Sequence, residues 1–306
     1  MRPVTRVAAN TGAACTGGTV RRDTCGMTQL YRSRTGRSVI RYWCTNRLAA
    51  WTTPHTRTTV SAGGTGTHAV TAGSGSPTVV FLPGTNMNAA ASLPLLTALA
   101  HRGRTVALDL PGQPGLSSSE RPPSPARLAW YGTWLTDALE ALDIRSAVVL
   151  GHSLGAAVAL SSGSPRIGRR VLLAPAGVTR LRTTPRVLAA SAAWFLAPGD
   201  ASSTRLLRTM LAPASGPPRT ELAQWMTLAG RHVHTTADPG LAPPTTSRVP
   251  TAVAAGEHDT FLPPHRLAPA VRRRLGTHLE ILPEAGHLAG EEYPARVAAL
   301  AHGSGV

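Results

Sequence analysis

Lysine is absent from this 306-residue chain, and all 31 basic residues are arginine. Acidic residues are scarce, 15 in all, which leaves a formal charge of +16. Cysteine occurs only at Cys15, Cys25 and Cys44. Three thiols cannot make a disulfide framework, and no two have metal-site spacing. No run of 18 apolar residues occurs, which excludes a membrane-spanning helix. No G-x-G-x-x-G opens a helix after a first strand, so the double glycines are not a dinucleotide fingerprint. What remains is a chain that is 42% hydrophobic, too apolar to be disordered throughout. At this length a compact α/β domain buries roughly three quarters of its extended-chain surface.

The charge has a plain source. Arginine accompanies abundant Ala, Gly and Pro, which matches a GC-rich coding bias. Nucleic-acid binding would need a compact basic face, whereas the arginines are spread along the chain, with one tight cluster at Arg272-Arg273-Arg274. Residues 1–26 are Thr-, Gly- and Ala-rich without periodicity and too polar for a signal-peptide core. They are expected to be a disordered, functionally silent tail, with Met27 as a second start. They hold four arginines and one aspartate, so the chain without them stays strongly basic. A cytoplasmic protein is expected, with no nucleic-acid or membrane partner.

Residues 29–51 show helical spacing of apolar groups. Residues 58–62 and 68–71 read as a short strand pair around Gly63, Gly64 and Gly66. Compact apolar runs follow at 78–82, 104–110, 147–150, 171–174, 251–255 and 279–282. Helical patterns, among them 89–101 and 125–142, separate most of them. The alternation predicts an α/β fold: a mostly parallel sheet with helices on both faces. One interval, 175–248, has no buried strand and reads as several short helices. The expected organisation is therefore a tail (1–26), a core in two parts (27–175 and 248–306) and a helical cap (176–247).

The strongest local signal is Val148-Val149-Leu150-Gly151-His152-Ser153-Leu154-Gly155-Ala156-Ala157, a strand, then G-x-S-x-G, then a helix. A serine on so sharp a turn holds its Oγ clear of the sheet, and the turn needs near-absent side chains at 151 and 155. The helix N-terminus places N–H groups where an oxyanion would develop. Serine needs a base, and the base needs an acid. Downstream, Thr251–Asp259 reads as a strand entering an acidic loop, and Leu279–His287 as a strand entering a histidine loop. Asp259 and His287 fit those two roles at strand carboxyl ends. Glu257, on the same loop, is the competing acid. His258 follows the wrong strand to be the base. His152 reads as a packed neighbour of Ser153, and His232 with His234 as cap-packing residues.

Five blocks, FLPGTNMNAA, DLPGQPGLSS, GHSLGAA, GEHDTFLPP and PEAGHL, together make the chain from about Met27 onward resemble the α/β-hydrolase family. The resemblance implies a Ser153–His287–Asp259 triad, a cap after the sixth strand, and no metal or organic cofactor. It also implies an oxyanion hole from the backbone N–H groups of Leu154 and Thr85, with Asn86 as a further side-chain donor. Pro83 stands where many relatives carry histidine. The block at Asp109 resembles the family's D-x-x-G-x-G-x-S loop with Pro114 inserted, and its role is taken as structural. Asn86, Met87, Trp194, Trp225 and Phe261 are the expected substrate-binding residues. The apolar character of Met87, Trp194, Trp225 and Phe261 favours a small or medium acyl group. The expected substrate is a small ester-like molecule, with C–C or thioester cleavage, acyl transfer, cofactor-free haloperoxidase-like activity or a non-catalytic receptor as alternatives.

Overall fold

The computed structural model describes residues 29–120, 126–235, 239–243 and 249–303. The tail expected at 1–26, Met27 and the expected boundary at 247/248 lie outside the described residues.

Helix α1 (Arg34–Ala49) opens the chain, capped by the Ser33 hydroxyl, which accepts from the Gly36 N–H. Strands β1 (His55–Ala62) and β2 (Thr65–Ala72) pair antiparallel across Gly63 and Gly64. Both glycines have positive φ, 56° and 72°, which a two-residue hairpin turn demands. Next come β3 (Val79–Leu82), α2 (Leu93–Ala100), β4 (Thr105–Leu108), α3 (Arg127–Ala141) and β5 (Ala147–His152). These are followed by α4 (Leu154–Ser161) and β6 (Ile167–Leu173). Three helices then intervene: α5 (Pro185–Leu196), α6 (Asp200–Arg208) and α7 (Thr220–His232). The chain returns to the sheet with β7 (Thr251–Gly256), α8 (Pro264–Leu275) and β8 (Leu279–Leu282), and finishes with α9 (Ala289–Glu292) and α10 (Pro294–His302).

The eight strands form one sheet, ordered β1-β2-β4-β3-β5-β6-β7-β8. The β1–β2 and β2–β4 pairs are antiparallel and the rest are parallel. Most of the parallel strands are largely apolar because helices cover both faces, whereas β8, at the sheet edge, leaves Ile281 exposed. Successive residues serve opposite cores. Val79, Phe81, Val148, Leu150, Val171 and Leu173 pack on one side, and Val80, Leu82, Val149 and Leu172 on the other. Among the described residues, no helix is long and apolar enough to cross a membrane.

Two elements differ from the sequence reading. The hairpin strands are longer, extending back to His55 in β1 and to Thr65 and Ala72 in β2, because backbone ladder pairing needs no hydrophobic pattern. Helix α2 starts at Leu93 rather than residue 89. Side chains take the backbone donors there: Asp109 Oδ1 accepts from Ala89 N–H at 2.8 Å and Asn88 Oδ1 from Ala91 N–H at 2.9 Å.

Candidate active site

The direction of chain progress across the sheet reverses around β3 and β5, and open α/β sheets leave a crevice at such a point. The loops after β3, β5, β7 and β8 all meet there. They carry Thr85, Ser153, Asp259 and His287.

Ser153 joins β5 to α4 with φ 50° and ψ −110°, a strained conformation for a residue with a side chain. Packing imposes it. A Cβ on Gly151 would lie 2.5 Å from the Gly155 carbonyl oxygen, and one on Gly155 would lie 2.0 Å from that of Leu82. Only glycine lets β5, α4 and the loop after β3 approach this closely. The Ser153 N–H donates to Leu173 O at 3.0 Å, which ties the turn to β6. Helix α4 starts at Leu154. The Leu154 and Thr85 N–H groups have no hydrogen-bond partner among the described residues.

His287 is held from several directions. Its Nδ1 lies 2.9 Å from Asp259 Oδ2. Its N–H donates to Met210 O at 2.7 Å, and its carbonyl lies 2.9 Å from His152 Nε2. The Phe261 ring meets the imidazole edge-on, centroids 5.0 Å apart. Asp259 is in turn fixed by the Phe261 and Leu262 N–H groups, both donating to Oδ1 at 2.9 Å. Burial alone would raise the Asp259 pKa, but the His287 charge and these hydrogen bonds outweigh it and lower the value. A serine on a strained turn, near an imidazole oriented by a buried carboxylate, is a set suited to nucleophilic catalysis. Glu257 is exposed and accepts the Glu284 N–H at 3.1 Å, away from the imidazole.

Ser153 and His287 open onto one cavity of about 260 Å³. The sheet side supplies Thr85, Asn86, Met87 and Phe261. The interval between β6 and β7 supplies Trp194, Phe195, Leu206, Leu207, Met210 and Met226. The walls are therefore largely apolar.

One expectation needs correcting. Trp225 does not line this cavity. It is fully buried, stacks on Trp43 with centroids 4.9 Å apart, and donates its indole N–H to Asn86 O at 2.7 Å. It braces the loop after β3 instead. Asn86 does line the cavity, and its amide donates one N–H to Thr235 Oγ1 at 2.7 Å. It sits at φ 59° and its backbone N–H donates to Gln113 Oε1, so it also fixes the loop after β3.

Other singled-out residues have structural surroundings. Asp109 is buried and accepts from the Ala89 and Leu116 N–H groups, which anchors two loops. His152 packs against His287, and burial, helped by the His287 charge, pushes its pKa down to about 4. His232 lies against Gly36, and the His234 N–H donates to Leu30 O.

The structure adds a part with no sequence signal. Glu292 accepts from Gly286 N–H at 2.8 Å on the histidine loop, and from Ala212 N–H at 2.7 Å beyond α6. This carboxylate and the Met210 carbonyl tie the His287 loop to the α6–α7 segment. Leu206 and Leu207 were likewise not singled out, although their position on one face of α6 is what helical spacing provides.

The family model described as "Alpha/beta hydrolase family" matches residues 79–300. A search of curated protein sequences finds no match. Among solved structures, carboxylesterase CesB of Bacillus subtilis superposes with TM-score 0.68 at 21% identity, covering 87% of this chain and 96% of that one. The naproxen esterase of Bacillus subtilis gives 0.69 at 20% identity, covering 87% and 97%. A 2-hydroxy-6-oxo-6-phenylhexa-2,4-dienoate hydrolase from Rhodococcus sp. strain RHA1 gives 0.59 at 24% identity, covering 79% and 95%. These likenesses concern the fold, and the sequence match across residues 79–300 goes further: the chain belongs to the α/β-hydrolase family.

Proposed function

We propose that this hydrolase cleaves a carboxylic ester of a small or medium apolar substrate through an acyl-enzyme. The observation that carries this reading is Ser153 on its strained turn, sharing one apolar cavity with an imidazole held by Asp259. His287 Nε2 takes the Ser153 proton as Oγ attacks the carbonyl carbon. The N–H groups of Leu154 and Thr85 hold the oxyanion. His287 then protonates the departing alcohol, leaving an acyl-Ser153. Water, deprotonated by the same imidazole, releases the acid and restores Ser153. The helices between β6 and β7 act as a cap whose inner faces form the acyl wall.

C–C bond hydrolysis is the second reading, suggested by the dienoate hydrolase neighbour. That neighbour's named substrate carries a carboxylate. Among the described residues, no arginine lines the cavity here, so an uncharged ester suits it better. A panel of p-nitrophenyl esters from short to long acyl chains tests the proposal, with Ser153→Ala as control. Turnover should peak at a short or medium chain. Ser153→Ala should lose both turnover and labelling by a fluorophosphonate, with its thermal midpoint nearly unchanged. Stoichiometric labelling of that variant would refute the role of Ser153.

A further inference from the structure

Helix α5 is apolar on both sides. Val187, Ala190 and Trp194 face inward, and Ser191, Trp194 and Phe195 reach the cavity. A globular-protein helix normally turns a polar face to solvent. Here the outer face carries Leu188 (57% exposed), Ala192, Phe195 (39%) and Leu196 (87%). The spacing 188, 192, 195/196 places them in one stripe along the helix. Among the described residues, three of the six exposed large hydrophobic side chains fall on this one element, so the exposure is clustered rather than scattered.

Positive charge borders the stripe. Arg186 of α5 and Arg205 and Arg208 of α6 surround a shallow depression beside Ala189 and Ala190. None of the three makes an ion pair among the described residues. The acid on these two helices, Asp200, is engaged by the Thr227 hydroxyl at 3.1 Å.

We infer that the outer face of α5, flanked by these arginines, docks on an anionic lipid surface and brings the mouth of the cavity to it. Exposed apolar side chains ringed by cations are the pattern of elements that lie in a lipid headgroup region. The alternative occupant, a second copy related by a two-fold axis, sets the same arginines against their own images, which is repulsive. Phe195 belongs both to the stripe and to the cavity wall, so the lipid-facing surface is continuous with the space that holds Ser153. Entry of an ester from the lipid phase rests on the reading given under Proposed function, whereas docking itself does not. The inference departs from the sequence-based expectation of no membrane partner. It needs no spanning helix, only a surface.

The test is co-sedimentation of the full chain with phosphatidylcholine vesicles, with and without phosphatidylglycerol. The full chain should bind the phosphatidylglycerol vesicles, and high salt should weaken the binding. Leu188→Ser/Leu196→Ser should weaken it at least about tenfold. Arg186→Gln/Arg205→Gln/Arg208→Gln should weaken it about a hundredfold. Both variants should keep the hydrolysis of a short soluble ester, the thermal midpoint and a monomeric mass by light scattering. Ser153→Ala should bind vesicles like the parent. No vesicle binding by the full chain, or binding unchanged in both surface variants, overturns the docking proposal. A dimer in the parent that dissociates in the leucine variant also overturns it, because the stripe is then a subunit interface. Vesicle binding without hydrolysis of any ester leaves docking in place and overturns the ester reading instead.

Discussion

Replacing Asp259 with asparagine isolates the proposed acid with little disturbance to its surroundings. The residue is 2% exposed, and its Oδ1 accepts two backbone N–H groups, a task an amide oxygen can still perform. What changes is the other terminus. Oδ2 faces His287 Nδ1 at 2.9 Å, and an NH₂ there cannot accept the hydrogen bond of the ring N–H. The imidazole then places its proton on Nε2, toward Ser153, in the wrong tautomer to act as base. The imidazolium of the transition state also loses its counter-charge. Comparable triads lose about 10⁴ in kcat, or about 5.4 kcal/mol of transition-state stabilisation. Because the two backbone hydrogen bonds persist, the urea midpoint should report a loss of only about 1 kcal/mol. Glu257 is the internal control. It is exposed, so Glu257→Gln should keep kcat within about twofold and stability within about 0.5 kcal/mol. Steady-state hydrolysis of a p-nitrophenyl ester checks both variants. Collapse in Glu257→Gln with activity retained in Asp259→Asn would refute the assignment of the acid.

Further consequences concern the frame around the site. Gly155→Ala forces a Cβ to about 2.0 Å from Leu82 O, so it should cost 3 kcal/mol or more of stability (~) and disable the enzyme, read from the urea midpoint and ester turnover. Arg170, buried in β6, donates from Nε to Ala159 O at 3.0 Å and from Nη2 to Ser162 O at 2.7 Å, at the carboxyl end of helix α4. Arg170→Met leaves those buried carbonyls without these donors and should cost about 2–4 kcal/mol in chemical denaturation. His152 has a folded pKa of about 4, below its ordinary 6.5. Between those values the unfolded chain holds a proton that the native site refuses, so stability rises with pH there and is lost as the pH falls from about 6.5 to 4. The loss should reach about 3 kcal/mol at the acid end. His152→Gln, which can still donate to the His287 carbonyl, should flatten that slope in urea titrations across the window; an unchanged slope would exclude His152 as its source.

Much of this protein is written in short-range pattern. The apolar runs in β3 to β7 are legible because a strand largely buried on both faces has few polar positions to blur it. The turn at Ser153 was legible because its sterics admit only glycine at 151 and 155. The meeting of Asp259 and His287 could be expected before any geometry, because strand ends of a parallel sheet converge. Where backbone donors are taken by distant side chains the pattern misled, as at residues 89–92, which Asn88 and Asp109 hold out of α2. Trp225 looked like a cavity residue by composition. Its placement beneath the Asn86 loop depends on how α7 meets α1, which no local pattern encodes. The Glu292 brace on the histidine loop and the outward stripe of α5 are of the same kind. An apolar residue looks alike in sequence whether it lines a cavity, packs a core or faces outward. Only the packing of helices on the sheet decides which, because burial is a property of the whole chain's arrangement and not of the residue.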